Sequence, residues 1–215
     1  MTTAFPADAA PVKLYRNPKS GHCHRAELMM AFLGVPYEPV DLDMANGAHK
    51  APDYLKISPS GQVPAIDDNG TTLSDSNAII TYLAEAYGDT AEWLGRTPVE
   101  KAEIQRWLSV AAGEIANGPC AARLVTLFGA AFDHDAVKAK AHALFKVMDA
   151  ALEGKSHLVN DRLTLADVAG YSYIAHAPEG GVSLDAYPNI RRWLSTIEKE
   201  PGFVGMARSP IPDAV

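Results

Sequence analysis

Every strand-like pattern in this 215-residue chain falls before Asp75, and beyond Pro98 only helical spacing remains. A chain divided in this way has to build one mixed α/β layer and one purely helical body. The first strand candidate is Val12–Arg16, VKLYR, followed by an apolar helical stretch over 26–33 that Gly34 stops. Residues 35–43 are β-rich, and a short helix is expected around Pro52–Ile57. Strands at 63–66 and 71–73 then bracket Asp-Asn-Gly, a turn signal that makes them a hairpin. Over 75–87, Ala78, Ile79, Tyr82, Leu83 and Ala86 recur at helical spacing, with Gly88 closing the segment.

The resulting order, β-α-β-(α)-β-β-α, is thioredoxin-like. After a polar connection, helices are expected at 99–117, 121–132, 135–152, 165–176 and 189–199. The fold class is therefore a thioredoxin-like α/β domain followed by an all-α domain. The expected divisions are a flexible tail at 1–11, an α/β domain at 12–88, a linker at 89–97 and a helical domain at 98–215. In the late stretch LTLADV, Thr164 and Asp167 have the spacing of a capping box, with Leu163 and Val168 as its hydrophobic staple. That motif starts a helix and carries no chemistry.

Composition removes several function classes. A formal charge of −7 and a pI near 5.4, with no basic cluster, argue against a nucleic-acid partner. No apolar run reaches the roughly 20 residues a membrane helix needs. The opening MTTAFPADAAP lacks the basic and apolar regions of a signal peptide, so a cytoplasmic location is expected. Cys23 and Cys120 are the only cysteines, too few for a disulfide framework and without a C-x-x-C pair.

Three stretches have the residue types that chemistry needs. The loop after the first strand, NPKSGHCHR, holds Ser20, His22, Cys23 and His24. In SGQVPAI, Pro64 removes a ladder donor beside a strand, which leaves an edge free to pair with an extended ligand; a cis bond would turn the Val63 N–H and C=O toward a pocket. Asp75 and Ser76 open a helix, where free N–H groups and the dipole suit a carboxylate and Asp75 suits an ammonium beside it. Plain N-capping by Ser74 or Asp75 would account for the same residues. A zinc site at His22 and His24 is not supported, since side chains two apart on a helix diverge. Neither is a hydrolytic triad, because the G-x-S-x-G elbow is missing.

Taken together, the P-x-S loop, the H-K-x-P segment at His49, the S-P-S-G-Q-V-P run, the D-S-x-A-I-x-x-Y-L helix and the Y-P-x-I-x-x-W run from Tyr187 to Trp193 resemble the cytosolic glutathione transferases. The chain looks like a serine-type, phi/theta/delta-like bacterial member over its whole length. Lys50 lies twelve residues before Gln62, and Val63 twelve before Asp75, as in phi-like members. The resemblance implies that glutathione is the co-substrate and that no metal is used. It implies that Asp75 and Ser76 hold the γ-glutamyl head, that Val63 pairs with the cysteinyl backbone, and that His49, Lys50 and Gln62 meet the glycine carboxylate. Ser20 would donate to the thiolate, ahead of two competitors, Tyr15 and Cys23.

The implied activity is the attack of glutathione's thiolate on a small hydrophobic electrophile, in a homodimer whose helical domain supplies the apolar pocket. In that domain Glu103, Arg106, Glu114, Asn117 and Arg123 interrupt apolar faces, as a pocket border or as solvated and interhelix contacts. Trp107 and Trp193 are expected in the core. Two alternatives stand beside this one: a non-catalytic glutathione-binding or structural protein of the same fold, and a thiol oxidoreductase based on Cys23.

Overall fold

A computed structural model describes residues 5–6 and 9–212; the remainder of the expected tail, 1–4 and 7–8, lies outside the described residues. Among those described, the Phe5 ring lies 5.2 Å from Tyr87. The chain forms two units. One runs through Leu94 and takes back Pro201–Met206, and the other comprises Gly95–Glu200 with the chain from Ala207 on.

The first unit is thioredoxin-like. Its elements are β1 (Val12–Arg16), α1 (Gly21–Leu33), β2 (Tyr37–Asp41), a 3₁₀ turn (Ala48–Lys50), α2 (Pro52–Ile57), β3 (Ala65–Asp68), β4 (Thr71–Ser74) and α3 (Ser76–Tyr87). The sheet order is β2-β1-β3-β4, with β1 parallel to β2 and antiparallel to β3. Val12, Leu14, Ala65 and Ile66 are fully buried, as are Leu28 and Met29 of α1 and Ile79, Ile80 and Leu83 of α3. Gly34 ends α1 at φ 65°, ψ 26°, the left-handed conformation that glycine reaches without penalty.

Local details depart from the sequence reading. α1 begins at Gly21, five residues before the expected apolar stretch, because Ser20 caps it. The third strand begins at Ala65 and not at Val63, since Pro64 has no N–H for the ladder. Residues 89–97, expected as a linker, carry the short helix α4 (Thr90–Leu94).

The second unit is helical throughout: α5 (Pro98–Val110), a wide π-type stretch (Ala111–Cys120), α6 (Ala121–Phe128), α7 (His134–Ala151), α8 (Leu165–Ala175), a 3₁₀ turn (Ala177–Gly180) and α9 (Pro188–Ile197). The break expected between Asn117 and Ala121 does not occur. Pro119 lacks the donor for a normal helical bond, and the wider turns carry the chain past it. Gly118 lets α7 approach closely, because a Cβ there would stand 3.1 Å from the Ala141 backbone. Trp107 and Trp193 are core residues, 4% and 0% exposed. No helix among the described residues is long and apolar enough to cross a membrane.

The capping box at Thr164 forms, and its carboxylate does more than cap. Asp167 is fully buried and accepts from Thr164 N and Oγ1 at 3.0 and 3.1 Å, from Leu158 N at 2.9 Å and from Trp193 Nε1 at 2.9 Å.

Candidate functional site

The sheet register brings the chemistry-bearing loops to one edge. Ala65, the first residue of β3, lies opposite Tyr15 near the end of β1 and opposite Ser74 at the end of β4. The loop 17–20, the Val63–Pro64 bond and Asp75 therefore leave the sheet side by side. The N-termini of α1 and α3 also start there, so two sets of N–H groups without intrahelical partners and two positive dipole ends share this edge.

Ser20 is the N-cap of α1, in extended conformation, and its Oγ accepts from Cys23 N at 3.4 Å. A lone pair serves the helix, and the hydroxyl also lies within hydrogen-bond reach of the Cys23 thiol. Cys23 is 1% exposed, and its sulfur accepts from Asn17 N at 3.4 Å. Burial pushes its thiol up to about 11. A neutral, enclosed thiol is a poor nucleophile, which counts against the oxidoreductase reading. Cys23→Ser is expected to retain transfer activity within about twofold, and thiol-reactive dyes at pH 8 are expected to leave Cys23 unlabelled in the folded protein. Loss of activity in that variant with unchanged folding would restore the cysteine mechanism. Tyr15 is half-buried, with its ring 5.7 Å from Tyr54.

His22 and His24 diverge. His22 Nδ1 lies 3.2 Å from Ser76 Oγ, whereas His24, buried, directs Nε2 to the Val204 carbonyl at 2.9 Å. Among the described residues no three His, Cys, Asp or Glu side chains are grouped to hold a metal ion.

The Val63–Pro64 bond is cis, and the Val63 N–H and C=O carry no hydrogen bond to the described chain. The segment leading to it is fastened from both sides. Tyr54 Oη and Ser58 Oγ donate to the Gln62 carbonyl at 2.6 and 2.9 Å, and Lys50 Nζ donates to the carbonyls of Ser60 and Gly61 at 3.2 and 3.3 Å. Gly61, at φ 61°, has no room for a side chain: a Cβ would come within 2.7 Å of the His49 carbonyl. His49, Lys50 and Gln62 are thus gathered in one place. The Lys50 charge meets neutral carbonyls and no carboxylate among the described residues.

Asp75 is the cap of α3, accepting on Oδ1 from Asn77 N and Ala78 N, both at 2.9 Å. Capping is therefore real, and it occupies one carboxylate oxygen while Oδ2 stays open. Its backbone, at φ 76°, ψ 122°, lies in a region that non-glycine residues avoid at a cost of about 1–3 kcal/mol, a strain that tends to persist at binding sites. Ser76, next in line, is 4% exposed.

The sequence reading missed Arg25. This guanidinium is 1% exposed on α1 and donates through Nη1 to Ser76 Oγ at 2.8 Å and to Asn77 Oδ1 at 2.9 Å. Burial, and then the Arg25 charge, lower His22 to about 4, so its ring is neutral. The available signal was spacing: His22 and Arg25 are three apart and share a helix face.

In the helical unit, Arg106, Glu114 and Asn117 line a cleft of about 760 Å³ with Trp107, Leu144 and Val147. Glu103 pairs with Arg106 at 2.8 Å on the surface. Arg123 is not a pocket residue; it is 2% exposed and bonded to Glu179 at 2.6 Å.

Two family models match the chain: "Glutathione S-transferase, N-terminal domain" over residues 10–85 and "Glutathione S-transferase, C-terminal domain" over residues 122–201. The chain is 33% identical to Glutathione S-transferase 3 of Zea mays over 218 residues, which spans 94% of this chain and 96% of that protein. Identity is also 33% to the probable glutathione S-transferase GSTF2 of Oryza sativa subsp. japonica, over 95% of this chain and 100% of the relative. Among solved structures, a glutathione S-transferase from Pseudomonas fluorescens matches with a TM-score of 0.85 at 28% identity, covering 92% of this chain and 99% of that one. Glutathione transferase F2 from Populus trichocarpa matches with a TM-score of 0.78 at 28% identity, covering 89% and 95%.

Proposed function

The chain belongs to the glutathione transferase family, and from that premise we propose that it binds glutathione along this sheet edge, stabilises the thiolate and directs it at a small hydrophobic electrophile. The observation that carries the reading is the shared edge itself: the Ser20 hydroxyl, an unpaired backbone at Val63 and a helix start at Asp75–Ser76 emerge together. Glutathione is an extended tripeptide with a central thiol, and three adjacent binding elements suit its three parts.

In this reading Asp75 Oδ2 meets the γ-glutamyl ammonium and the Ser76 N–H and hydroxyl meet its carboxylate. The Val63 N–H and C=O pair with the cysteinyl backbone as a short added strand. Lys50, His49 and Gln62 face the glycine carboxylate, toward which the Lys50 charge is not already spent on an acid. Ser20 is the residue that donates to sulfur. A free thiol titrates near 8.5, and a hydrogen bond to the charged form lowers that value, so more thiolate is present at neutral pH. The protein contributes placement and electrostatic stabilisation; the nucleophile is glutathione's own. The working form is a homodimer in the cytoplasm, where two buried free cysteines, Cys23 and Cys120, suit a reducing environment.

Calorimetry with reduced glutathione, followed by an ultraviolet thiolate titration of the same sample, tests this. Binding with a lowered thiol pKa is expected. An absence of binding would leave a non-catalytic protein of the same fold. Asp75→Ala is expected to weaken glutathione about tenfold through loss of a charge-assisted bond. An unchanged affinity would remove Asp75 from the site.

A further inference from the structure

Ser76 is asked to donate to a carboxylate, yet a serine hydroxyl has one proton and two lone pairs and can as easily accept. What decides between these roles is Arg25. A guanidinium has donors only, so at 2.8 Å from Arg25 Nη1 the Ser76 oxygen must be the acceptor. His22 Nδ1 lies 3.5 Å from the same Nη1, whose two protons serve Ser76 and Asn77; in the tautomer that carries its proton on Nε2, Nδ1 offers a lone pair. The hydroxyl proton of Ser76 then has one direction within the described chain, toward His22 Nδ1 at 3.2 Å.

We infer that Arg25 is a positioning residue for glutathione's α-carboxylate, holding Ser76 Oγ as an acceptor so that its proton is available only to donate. His22 keeps that proton until the ligand arrives, and the hydroxyl then turns from imidazole to carboxylate while the Arg25 bond stays in place. The guanidinium, one hydrogen bond behind, polarises the hydroxyl and adds attraction for the anion. Its second bond, to Asn77 Oδ1 at 2.9 Å, holds the first turn of α3 against α1 and keeps the Ser76 backbone N–H in reach of the same carboxylate. Lysine is not equivalent: both bonds leave one nitrogen whose two protons are fixed in the guanidinium plane, whereas an ammonium's three protons rotate at the end of a flexible stem. The inference rests on the glutathione reading of this edge and adds to it a residue that never touches the ligand.

The test is a cycle of ligand against mutation. Calorimetric dissociation constants are measured for glutathione and for the analogue in which 4-aminobutyrate replaces γ-glutamate, which lacks only the α-carboxylate. The wild-type protein is expected to prefer glutathione by about 100-fold, as for loss of a strong charged contact. Arg25→Gln and Arg25→Lys are each expected to cut that preference about tenfold while leaving the analogue's affinity within about twofold. In a Ser76→Ala background, Arg25→Lys is expected to change the preference no further, because the two residues act through one bond. Equal weakening of both ligands by Arg25→Lys would reduce Arg25 to a structural support and overturn the inference, as would an undiminished effect in the Ser76→Ala background. Arg25→Lys keeps the buried charge, so the cycle can be completed if Arg25→Gln fails to fold. A wild-type protein that binds neither ligand would remove the glutathione reading itself, a result distinct from either of these.

Discussion

Ser20→Ala is expected to lower kcat/KM by about 100- to 1000-fold while the dissociation constant of glutathione stays within about twofold, the pattern of a donor that works on developing charge. The geometry explains the split. Ser20 Oγ caps α1 through the Cys23 N–H at 3.4 Å and has no part in the proposed contacts to the γ-glutamyl and glycine ends of the ligand, so its loss subtracts little from binding there. The thiolate loses a hydrogen bond that only its charged form can use, and the bound thiol's pKa therefore rises toward its value in water. Sign and window follow. At a pH well above the unperturbed thiol value both proteins hold thiolate and the variant's deficit narrows; near neutrality it is largest. Stopped-flow absorbance of the thiolate against pH reads this directly. A titration identical to wild type would transfer the donor role to Tyr15, whose ring stands against Tyr54 near the end of β1. The helix itself should tolerate the change, because the long capping bond is replaced at a cost of about 1 kcal/mol.

The largest effect on stability is expected from Asp167→Ala. Its carboxylate, fully buried, accepts four hydrogen bonds from three separate segments: the turn at Leu158, the helix start at Thr164 and the indole of Trp193 on α9. Truncation leaves those donors without an acceptor inside a dry core, where each stranded group costs about 1–3 kcal/mol. Some of the four will relax toward one another, so a total loss of about 4–5 kcal/mol is expected. For a chain of 215 residues that lowers Tm by roughly 10–20 °C. Thr164→Ala removes one of the four donors and leaves the rest paired, for about 1 kcal/mol and an unchanged glutathione affinity. Urea unfolding monitored by Trp fluorescence measures both. A loss below about 2 kcal/mol for Asp167→Ala would mean that the capping box is a local cap and not the junction of the helical unit.

Much of this fold could be read from short-range signals. Val12–Arg16 and Pro52–Ile57 form over the expected residues, the Asp-Asn-Gly turn joins β3 to β4, and Gly34 stops α1 in the left-handed conformation. Periodicity, caps and turns are properties of a few neighbouring residues, so one sequence carries them plainly. The same locality explains the misses. The run GHCHR over 21–25 shows no apolar period and hid the first turn of α1, though His24 and Arg25 are almost as buried as Leu28 after them. The break expected between Asn117 and Ala121 is bridged by wide turns that carry the chain past Pro119, where Gly118 lies close against α7.

For the candidate site, the loop at Ser20, the proline after Val63 and the helix start at Asp75 and Ser76 each leave a local mark in the sequence, whereas the roles proposed for Ser20, His49, Lys50 and Gln62 came from the resemblance to the glutathione transferases. Their neighbours across the fold left none. That Arg25 reaches Ser76 across 51 positions, that Arg123 spends its charge on Glu179 and not on a pocket, and that Cys23 is sealed from solvent were decided when α1 met α3 and when α6 met the turn after α8. A charged side chain's partner depends on which surfaces come together, and no period or cap within one element encodes that meeting.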